Sequence, residues 1–294
     1  MKKSIILFLV AFISLNAFSQ KSNSQVKAFD VQIIGNGTPL LLIPGLSCSG
    51  EVWAETVEAL KADYECHILT LAGFAGQAPM ESKDQFLPIV EREIIAYLEP
   101  KFKGKSVKPI IMGHSLGGFL SLSIAQKTEG LVDRIVIVDS FPFYTAAMMP
   151  TATEETAKPQ AEIMKTMLLN TTEEAFENQQ KMMLGSMITD ADKIEVALEW
   201  SLQTDRETMG QAMYEIMSTD LRKDMKKANC PILVLGSWAA GKDYGLTKEF
   251  TLNTYKTQFA EAENCEILVA EKAKHFIMWD EPVWFMENVK RFLK

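Results

Sequence analysis

The chain has 294 residues, of which 47% are hydrophobic and 23% charged, and its formal net charge at pH 7 is −8. Acidic and basic residues are mixed along the chain, so there is no basic block of the kind that binds nucleic acid, and we expect no nucleic-acid partner. The length suits one large α/β domain with room for an inserted subdomain.

The N-terminal residues have the pattern of a secretory signal peptide. Lys2 and Lys3 form a basic start, residues 5–13 form an apolar run too short to span a bilayer, and Ala17-Phe18-Ser19 is a small-x-small cleavage motif. Cleavage after Ser19 would change the formal charge from −8 to −10. We expect an exported protein, periplasmic or extracellular, with no stable membrane insertion after cleavage.

After this segment, strand patterns alternate with helix patterns. A strand at 29–34 and a tight turn at 35–37 lead to a buried strand at 40–43. There follow a helix at 51–61, a strand at 66–71, a helix at 87–101, a strand at 107–112, a helix at 118–127 and a strand at 134–138. This alternation predicts a mostly parallel sheet, with ligands bound at the carboxyl ends of its strands.

Residues 141–229 break the alternation. They contain no strand pattern, and helical spacing appears near 154–170, 173–188, 191–204 and 206–217. Strands then return at 231–236 and 265–270, with helices near 247–259 and 283–293. We therefore divide the chain into a signal peptide (1–19), an α/β core (20–140 and 230–294) and a helical cap insertion (141–229).

Methionine is concentrated in this insertion. Eleven of the sixteen methionines lie there: Met148, Met149, Met164, Met167, Met182, Met183, Met187, Met209, Met213, Met217 and Met225. An unbranched, polarizable side chain can line an adaptable apolar pocket, although packing within the helical layer explains most of these positions. Met148 and Met149, close to the end of a strand, are the two that we expect to reach a substrate.

Four cysteines would enter an oxidising compartment. Cys230 and Cys265 each precede a strand, and those strands are expected to be neighbours. The two residues could therefore form a disulfide or stay as free thiols, and the sequence leaves both alternatives open. Cys48 and Cys66 are expected at opposite ends of the sheet, too far apart for a bridge. The cysteines and the three histidines show no ligand spacing, so no metal site is expected.

The strongest motif is Gly113-His114-Ser115-Leu116-Gly117, which follows the apolar strand at 107–112 and precedes a helical pattern. A serine between two such glycines, at a turn from strand to helix, is typical of the nucleophile elbow of serine hydrolases. The turn strains the serine backbone, and a Cβ at either glycine would collide with the neighbouring elements. We therefore predict that Ser115 is a catalytic nucleophile.

A serine nucleophile needs a base, which a third group must orient. His67 begins a strand and so lies at the wrong end of the sheet, and His114 lies within the elbow itself. His275 follows the last strand and precedes the final helix, in a loop at the edge expected to hold the site. His275 is therefore the predicted general base.

Together these features resemble the α/β-hydrolase superfamily over essentially the whole mature chain. The elbow, the Ile43-Pro44-Gly45-Leu46-Ser47 loop, the loop at 72–76 and the segment from His275 to Pro282 support the resemblance. It implies an eight-stranded, mostly parallel sheet flanked by helices, with the insertion as a cap. It also implies an acyl-enzyme mechanism that needs no cofactor.

Two positions depart from the pattern of that superfamily. Pro44-Gly45 stands where His-Gly is usual, but the oxyanion needs backbone donors, and the N–H groups of Leu46 and Leu116 can supply them. Alanine stands where the acid often follows the seventh strand. Asp139, at the end of the sixth strand, is favoured as the triad acid, and Asp243 stays as the alternative.

The sequence thus predicts an exported serine hydrolase for an ester-like bond in a small, apolar substrate. Thioester, lactone, amide and C–C bonds are alternatives that the residues do not separate. A non-catalytic protein of the same fold, binding a small apolar ligand under the cap, is the competing hypothesis. The sequence does not indicate the oligomeric state.

Overall fold

A computed structural model describes residues 27–294, so the predicted signal peptide and its cleavage site lie outside the described residues. The described chain contains a seven-stranded sheet with the order β1-β3-β2-β4-β5-β6-β7. Its strands are β1 (Phe29–Ile34), β2 (Thr38–Ile43), β3 (Tyr64–Leu71), β4 (Ile110–His114), β5 (Ile135–Val138), β6 (Ile232–Gly236) and β7 (Cys265–Val269). Only β1 runs antiparallel to its neighbour, β3.

The mostly parallel α/β sheet flanked by helices is confirmed, but the number of strands differs from the expected eight. Within residues 27–294, β1 is the edge strand and pairs with β3 alone. The turn after β1 does not close a hairpin with β2, because β3 lies between the two strands. All seven strands correspond to segments read from the residues, whereas the eighth was expected only from the resemblance.

Eleven α-helices accompany the sheet in this part of the chain. They are α1 (Ala54–Leu60), α2 (Phe86–Phe102), α3 (Leu116–Lys127), α4 (Tyr144–Met148), α5 (Glu154–Asn170), α6 (Glu173–Met187), α7 (Ala191–Leu202), α8 (Arg206–Ser218), α9 (Lys248–Gln258), α10 (Ile277–Asp280) and α11 (Pro282–Leu293). Short 3₁₀ turns cover Gly50–Trp53, Leu221–Lys227 and Ala239–Tyr244. None of the helices in residues 27–294 has both the length and the apolar character needed to cross a bilayer.

The hydrophobic core lies on both faces of the sheet. Successive residues of β2 alternate between the faces, so Leu41 packs in one core cluster and Leu42 in the other. Helices α2, α3 and α9 cover the first face, and α1 and α11 cover the second. Burial on both faces explains why the central strands read as continuous apolar runs.

Residues 144–227 form a layer of helices between β5 and β6. In this layer α5 packs against α8, and α6 packs against α7. Four of these helices begin at a capping residue whose side-chain oxygen accepts a hydrogen bond from a backbone N–H of the first turn. The capping residues are Thr153, Thr172, Asp190 and Asp205. The helical layer covers the carboxyl ends of β5 and β6.

All four cysteines are free thiols, so the possible Cys230–Cys265 disulfide is not formed. Strands β6 and β7 are neighbours as expected, but their register places Cys265 opposite Ile232. Cys230 lies two residues earlier, and that offset added to the strand spacing separates the Cα atoms by more than the roughly 7 Å that a disulfide spans. Burial raises the pKa of both thiols to about 12.

Candidate active site

Ser115 stands at the turn between β4 and α3. Its backbone has φ of 51° and ψ of −118°, a strained conformation for a residue other than glycine. The N–H of Ser115 donates to the carbonyl of Val138 on the neighbouring strand β5, at 2.8 Å. The strained elbow predicted around this serine is therefore present, and Ser115 lines a cavity of about 650 Å³.

Gly113 and Gly117 of the elbow must be glycines, because neighbouring backbone atoms lie where a Cβ would stand. A Cβ at Gly113 would lie 2.0 Å from the carbonyl oxygen of Gly117, and a Cβ at Gly117 would lie 2.2 Å from that of Ile43. These distances are far below any van der Waals contact. The predicted collision of a Cβ at either position is confirmed.

Asp139 and His275 meet at the same edge of the sheet. Asp139 follows β5 with φ of 48°, and its Oδ2 lies 2.5 Å from Nδ1 of His275. Since a carboxylate only accepts, Nδ1 of His275 is the donor in this bond, and Nε2 is the nitrogen left to take up a proton. His275 also lines the cavity, and no direct hydrogen bond joins it to Ser115 in the described residues.

Other donors fix the carboxylate of Asp139. The backbone N–H and the hydroxyl of Ser237 donate to it at 2.7 and 2.9 Å, and the hydroxyl of Tyr255 donates at 2.6 Å. Gly236 makes room for this arrangement, because a Cβ there would lie 2.3 Å from the Tyr255 ring. Burial and the adjacent Asp139 raise the pKa of Tyr255 well above its ordinary value of 10, which keeps its hydroxyl a donor.

His114 packs against the loop of His275. Its Nε2 donates to the backbone carbonyl of His275 at 3.1 Å, and the two rings lie 4.6 Å apart between centroids. Nδ1 of His114 is buried and has no partner in the described residues. Burial, reinforced by His275, holds the pKa of His114 well below its ordinary 6.5, so the ring stays neutral.

Two backbone donors lie near the serine, one in the loop after β2 and one at the start of α3. Leu46 and Leu116 both line the cavity, and their N–H groups donate to no acceptor in residues 27–294. Leu116 is the first residue of α3, where an N–H has no partner within the helix. A Cβ at Gly45 would lie 2.9 Å from Nδ1 of His114 and 3.4 Å from Cβ of Ser115, so the loop packs directly on the elbow.

The cavity has a volume of about 650 Å³ and is enclosed by the sheet edge and the cap helices. Methionine side chains form much of the cap wall: Met148, Met164, Met167, Met183, Met187, Met209 and Met213. Met148 belongs to the cavity lining, whereas Met149 does not, and contact of either residue with a substrate stays a prediction. Helix α4 ends at Met148, and the backbone of Met149 is already extended, although its N–H still donates to the carbonyl of Thr145.

A model of the alpha/beta hydrolase family matches residues 40–288, a span that includes Gly45, Ser115, Asp139 and His275. The chain belongs to this family. The expected membership is thereby confirmed.

Individual alpha/beta hydrolases resemble the chain over different lengths. Pimeloyl-(acyl-carrier protein) methyl ester esterase of Vibrio atlanticus is 32% identical over 118 residues, which are 40% of this chain and 42% of that protein. The chain thus spans less than half the length of the curated relatives that it matches first. It also resembles a hydrolase structure from Pseudomonas aeruginosa (14% identity, TM-score 0.74, 90% of this chain and 94% of the other).

The enol-lactonase of Burkholderia xenovorans has the same fold, with 16% identity, a TM-score of 0.68 and coverage of 90% of this chain and 96% of the other. At these identities the structural matches establish the fold of an alpha/beta hydrolase and nothing finer.

Three residues that contact the Asp139–His275 pair were missed in the sequence. Ser237 stands directly after the glycine that ends β6, so its place beside the end of β5 could have been inferred from strand order. Tyr255 offered no such signal, because it reaches Asp139 from the middle of α9. The sequence places His114 in the elbow and gives no sign of its contact with the His275 loop. The side chain of the alternative acid, Asp243, lies outside the described residues.

Proposed function

We propose that this alpha/beta hydrolase is an exported serine hydrolase that cleaves an ester bond in a small, apolar substrate. The observation that supports it most is the bond between Asp139 and Nδ1 of His275, in the cavity that Ser115 lines from the elbow. This contact also favours Asp139 over Asp243 as the acid of the triad.

Acylation begins with attack of the Ser115 hydroxyl on the ester carbonyl. Nε2 of His275 takes the serine proton, and Asp139 stabilises the imidazolium through Nδ1. The carbonyl electron pair moves onto oxygen, where the N–H groups of Leu46 and Leu116 stabilise the charge. When the tetrahedral intermediate collapses, the C–O bond breaks, and His275 returns its proton to the leaving alcohol.

Deacylation repeats these steps with water as the nucleophile. His275 takes a proton from the water, and the new tetrahedral intermediate releases the carboxylic acid and restores the Ser115 hydroxyl. Every proton in this cycle passes through Nε2 of His275. The chemistry therefore needs no group beyond the side chains and backbone donors of the cavity.

An ester is the bond that the comparisons favour. The curated relatives that match first are methyl ester esterases, and an enol-lactonase shares the fold. The methionine-rich wall suits an apolar acyl or alcohol group, because burial of such a group there removes its surface from water. The fit of a substrate then depends on chain length and shape.

The test is release of p-nitrophenol from a graded series of acyl esters by residues 20–294. Replacement of the nucleophile by Ser115→Ala should lower kcat by about 10⁶-fold, as loss of a serine nucleophile does elsewhere. Ser82→Ala, at an exposed serine outside the cavity, is the matched control. Equal turnover by Ser115→Ala and the unaltered protein would refute the mechanism, and absence of turnover in both would point to another bond type or to ligand binding.

Export is the second part of the proposal, based on the basic, apolar and small-residue pattern of residues 1–19. Intact-mass measurement of the protein recovered from outside the cytoplasm should give the mass of a chain that begins at Gln20. A mass that includes Met1 would contradict cleavage.

A further inference from the structure

The cap wall of the cavity contains one polar pair that the proposed mechanism does not use. Gln180 lies on α6 and Ser201 on α7, the two helices that pack against each other. Both side chains line the cavity although they are 7% and 3% exposed. The other lining residues of these two helices are four apolar and two polar ones: Met183, Leu184, Met187, Ala197, Gln179 and Ser186.

The hydrogen bonds of this pair leave one donor free. The hydroxyl of Ser201 donates to Oε1 of Gln180 at 2.7 Å, which fixes the amide so that Oε1 is the occupied atom. Nε2 of Gln180 donates to no acceptor within residues 27–294. This nitrogen is open to the cavity, so an apolar chain that fills the cavity would take away its access to water and leave it without an acceptor. A substrate that supplies an acceptor at this point avoids that penalty.

We propose that Gln180, oriented by Ser201, binds a neutral hydrogen-bond acceptor of the substrate, remote from the scissile ester. The inference rests on the proposed function and narrows its substrate class. The substrate is an ester whose apolar chain bears a ketone or ether oxygen, and the amide of Gln180 donates to that oxygen.

A neutral acceptor fits better than a carboxylate. Gln180 has no formal charge, and an anion placed beside it in the apolar wall would be buried without a cation. The ammonium group of Lys165, which also lines the cavity, lies on α5 and already donates to Gln211 at 2.6 Å. Helix α5 packs against α8, whereas Gln180 and Ser201 belong to the α6–α7 pair.

Matched esters test the assignment. p-Nitrophenyl octanoate is compared with oxo-octanoates in which the ketone is moved one carbon at a time along the chain, and with the ester that ends in a carboxylate. A parallel series places the ketone in the alcohol part. Each ester is tested with the unaltered protein, Gln180→Leu and Ser201→Ala, with Asn178→Leu on the exposed side of α6 as the control.

The unaltered protein should prefer one oxo-ester over plain octanoate by about tenfold in kcat/KM, the value of one net hydrogen bond. Gln180→Leu should abolish that preference, and a thermal unfolding transition close to that of the unaltered protein shows that the variant is folded. Ser201→Ala should weaken the preference, because the amide loses its fixed orientation. Asn178→Leu should leave it unchanged.

Binding measurements separate this inference from the proposed function. Calorimetry with Ser115→Ala requires no turnover and can use the methyl esters of octanoic acid and of the preferred oxo-octanoic acid. The oxo-ester should bind about tenfold more tightly than the plain ester, and this difference should disappear when Gln180 is also replaced by leucine. Equal affinity for ketone and plain chains, a preference that survives Gln180→Leu, or tighter binding of the carboxylate ester would each overturn the assignment.

Discussion

At the sheet edge, Asp139 accepts hydrogen bonds from Ser237, Tyr255 and His275, whereas the cap facing it lines the same cavity with seven methionines. The sheet edge is held by backbone geometry, with positive φ at Ser115 and Asp139 and glycines where no Cβ fits. The cap wall consists of flexible, unbranched side chains that can repack around different groups. The rigid sheet edge therefore suits the proposed chemistry, and the flexible cap wall suits recognition of different substrate groups.

This contrast predicts that substitutions of equal size have very different effects on the two walls. On the sheet edge, a change of one atom moves a reacting group. On the cap, side chains rearrange to fill the space.

Asp139→Asn should have the largest effect of the substitutions that sharpen this contrast. Asparagine retains the shape but can donate to Nδ1 of His275, which favours the wrong tautomer, and kcat should fall by about 10⁴-fold. Steady-state hydrolysis of the best p-nitrophenyl ester measures the loss. Asp243→Asn is the matched control, and a larger loss for that variant than for Asp139→Asn would reassign the acid.

Gly45→Ala tests whether the loop after β2, which contains the proposed oxyanion donor Leu46, tolerates one added methyl group. The Cβ would lie 2.9 Å from Nδ1 of His114, so the loop must move away from the elbow, and kcat should fall by about 10²-fold with little change in KM. Gly185→Ala adds the same methyl group on α6, where no atom lies within 4 Å, and should leave kcat unchanged. Similar kinetics for the two variants would refute the tight packing of loop and elbow.

His114 should make the sheet edge sensitive to acid. Its folded-state pKa is lowered, so the neutral ring contributes stability above the unfolded-state pKa of about 6.5, and that stability is lost as the pH falls below it. From about pH 6 to pH 5, the free energy of unfolding should fall by up to about 1.4 kcal/mol more in the unaltered protein than in His114→Asn.

Urea unfolding of both proteins at each pH measures this difference, and the other titrating groups cancel because both chains contain them. If the free energies of unfolding of the two proteins changed equally with pH, the pKa of His114 would not be lowered by folding, and the prediction would be wrong.

Met183→Leu should have the smallest effect. The substitution conserves volume in a wall that can repack, so kcat should be unchanged and kcat/KM across the acyl series should change by less than about threefold. A loss comparable with that of Gly45→Ala would show that the cap is as rigid as the sheet edge.

The elements that the sequence predicted well are those with local causes. The elbow was recognisable because the spacing of Gly113, Ser115 and Gly117 specifies both its backbone conformation and its close contacts. The cap helices α5 to α8 fall close to their predicted limits, since each combines apolar periodicity with a threonine or aspartate cap. Helices of four or five residues, such as α4 and α10, are too short to show a period.

Features that depend on distant packing could not be predicted in this way. Tyr255 reaches Asp139 across 116 residues of chain, and the packing of α9 on β7, with the Tyr255 ring against Gly236, brings them together. Adjacency in sequence also does not determine that Met148 lines the cavity and Met149 does not, because this depends on where α4 ends. The pairing of Gln180 with Ser201 depends likewise on the packing of two helices.

The buried free thiols allow local unfolding of this protein to be measured by chemical labelling. Burial raises the pKa of Cys48 and Cys230 to about 12, so at pH 7 only about one thiol in 10⁵ is ionised in the folded chain. Alkylating reagents react with the thiolate, and therefore react mainly when the surrounding structure opens. The labelling rate of Cys48 thus reports opening of the loop after β2, and the labelling rate of Cys230 reports opening just before β6.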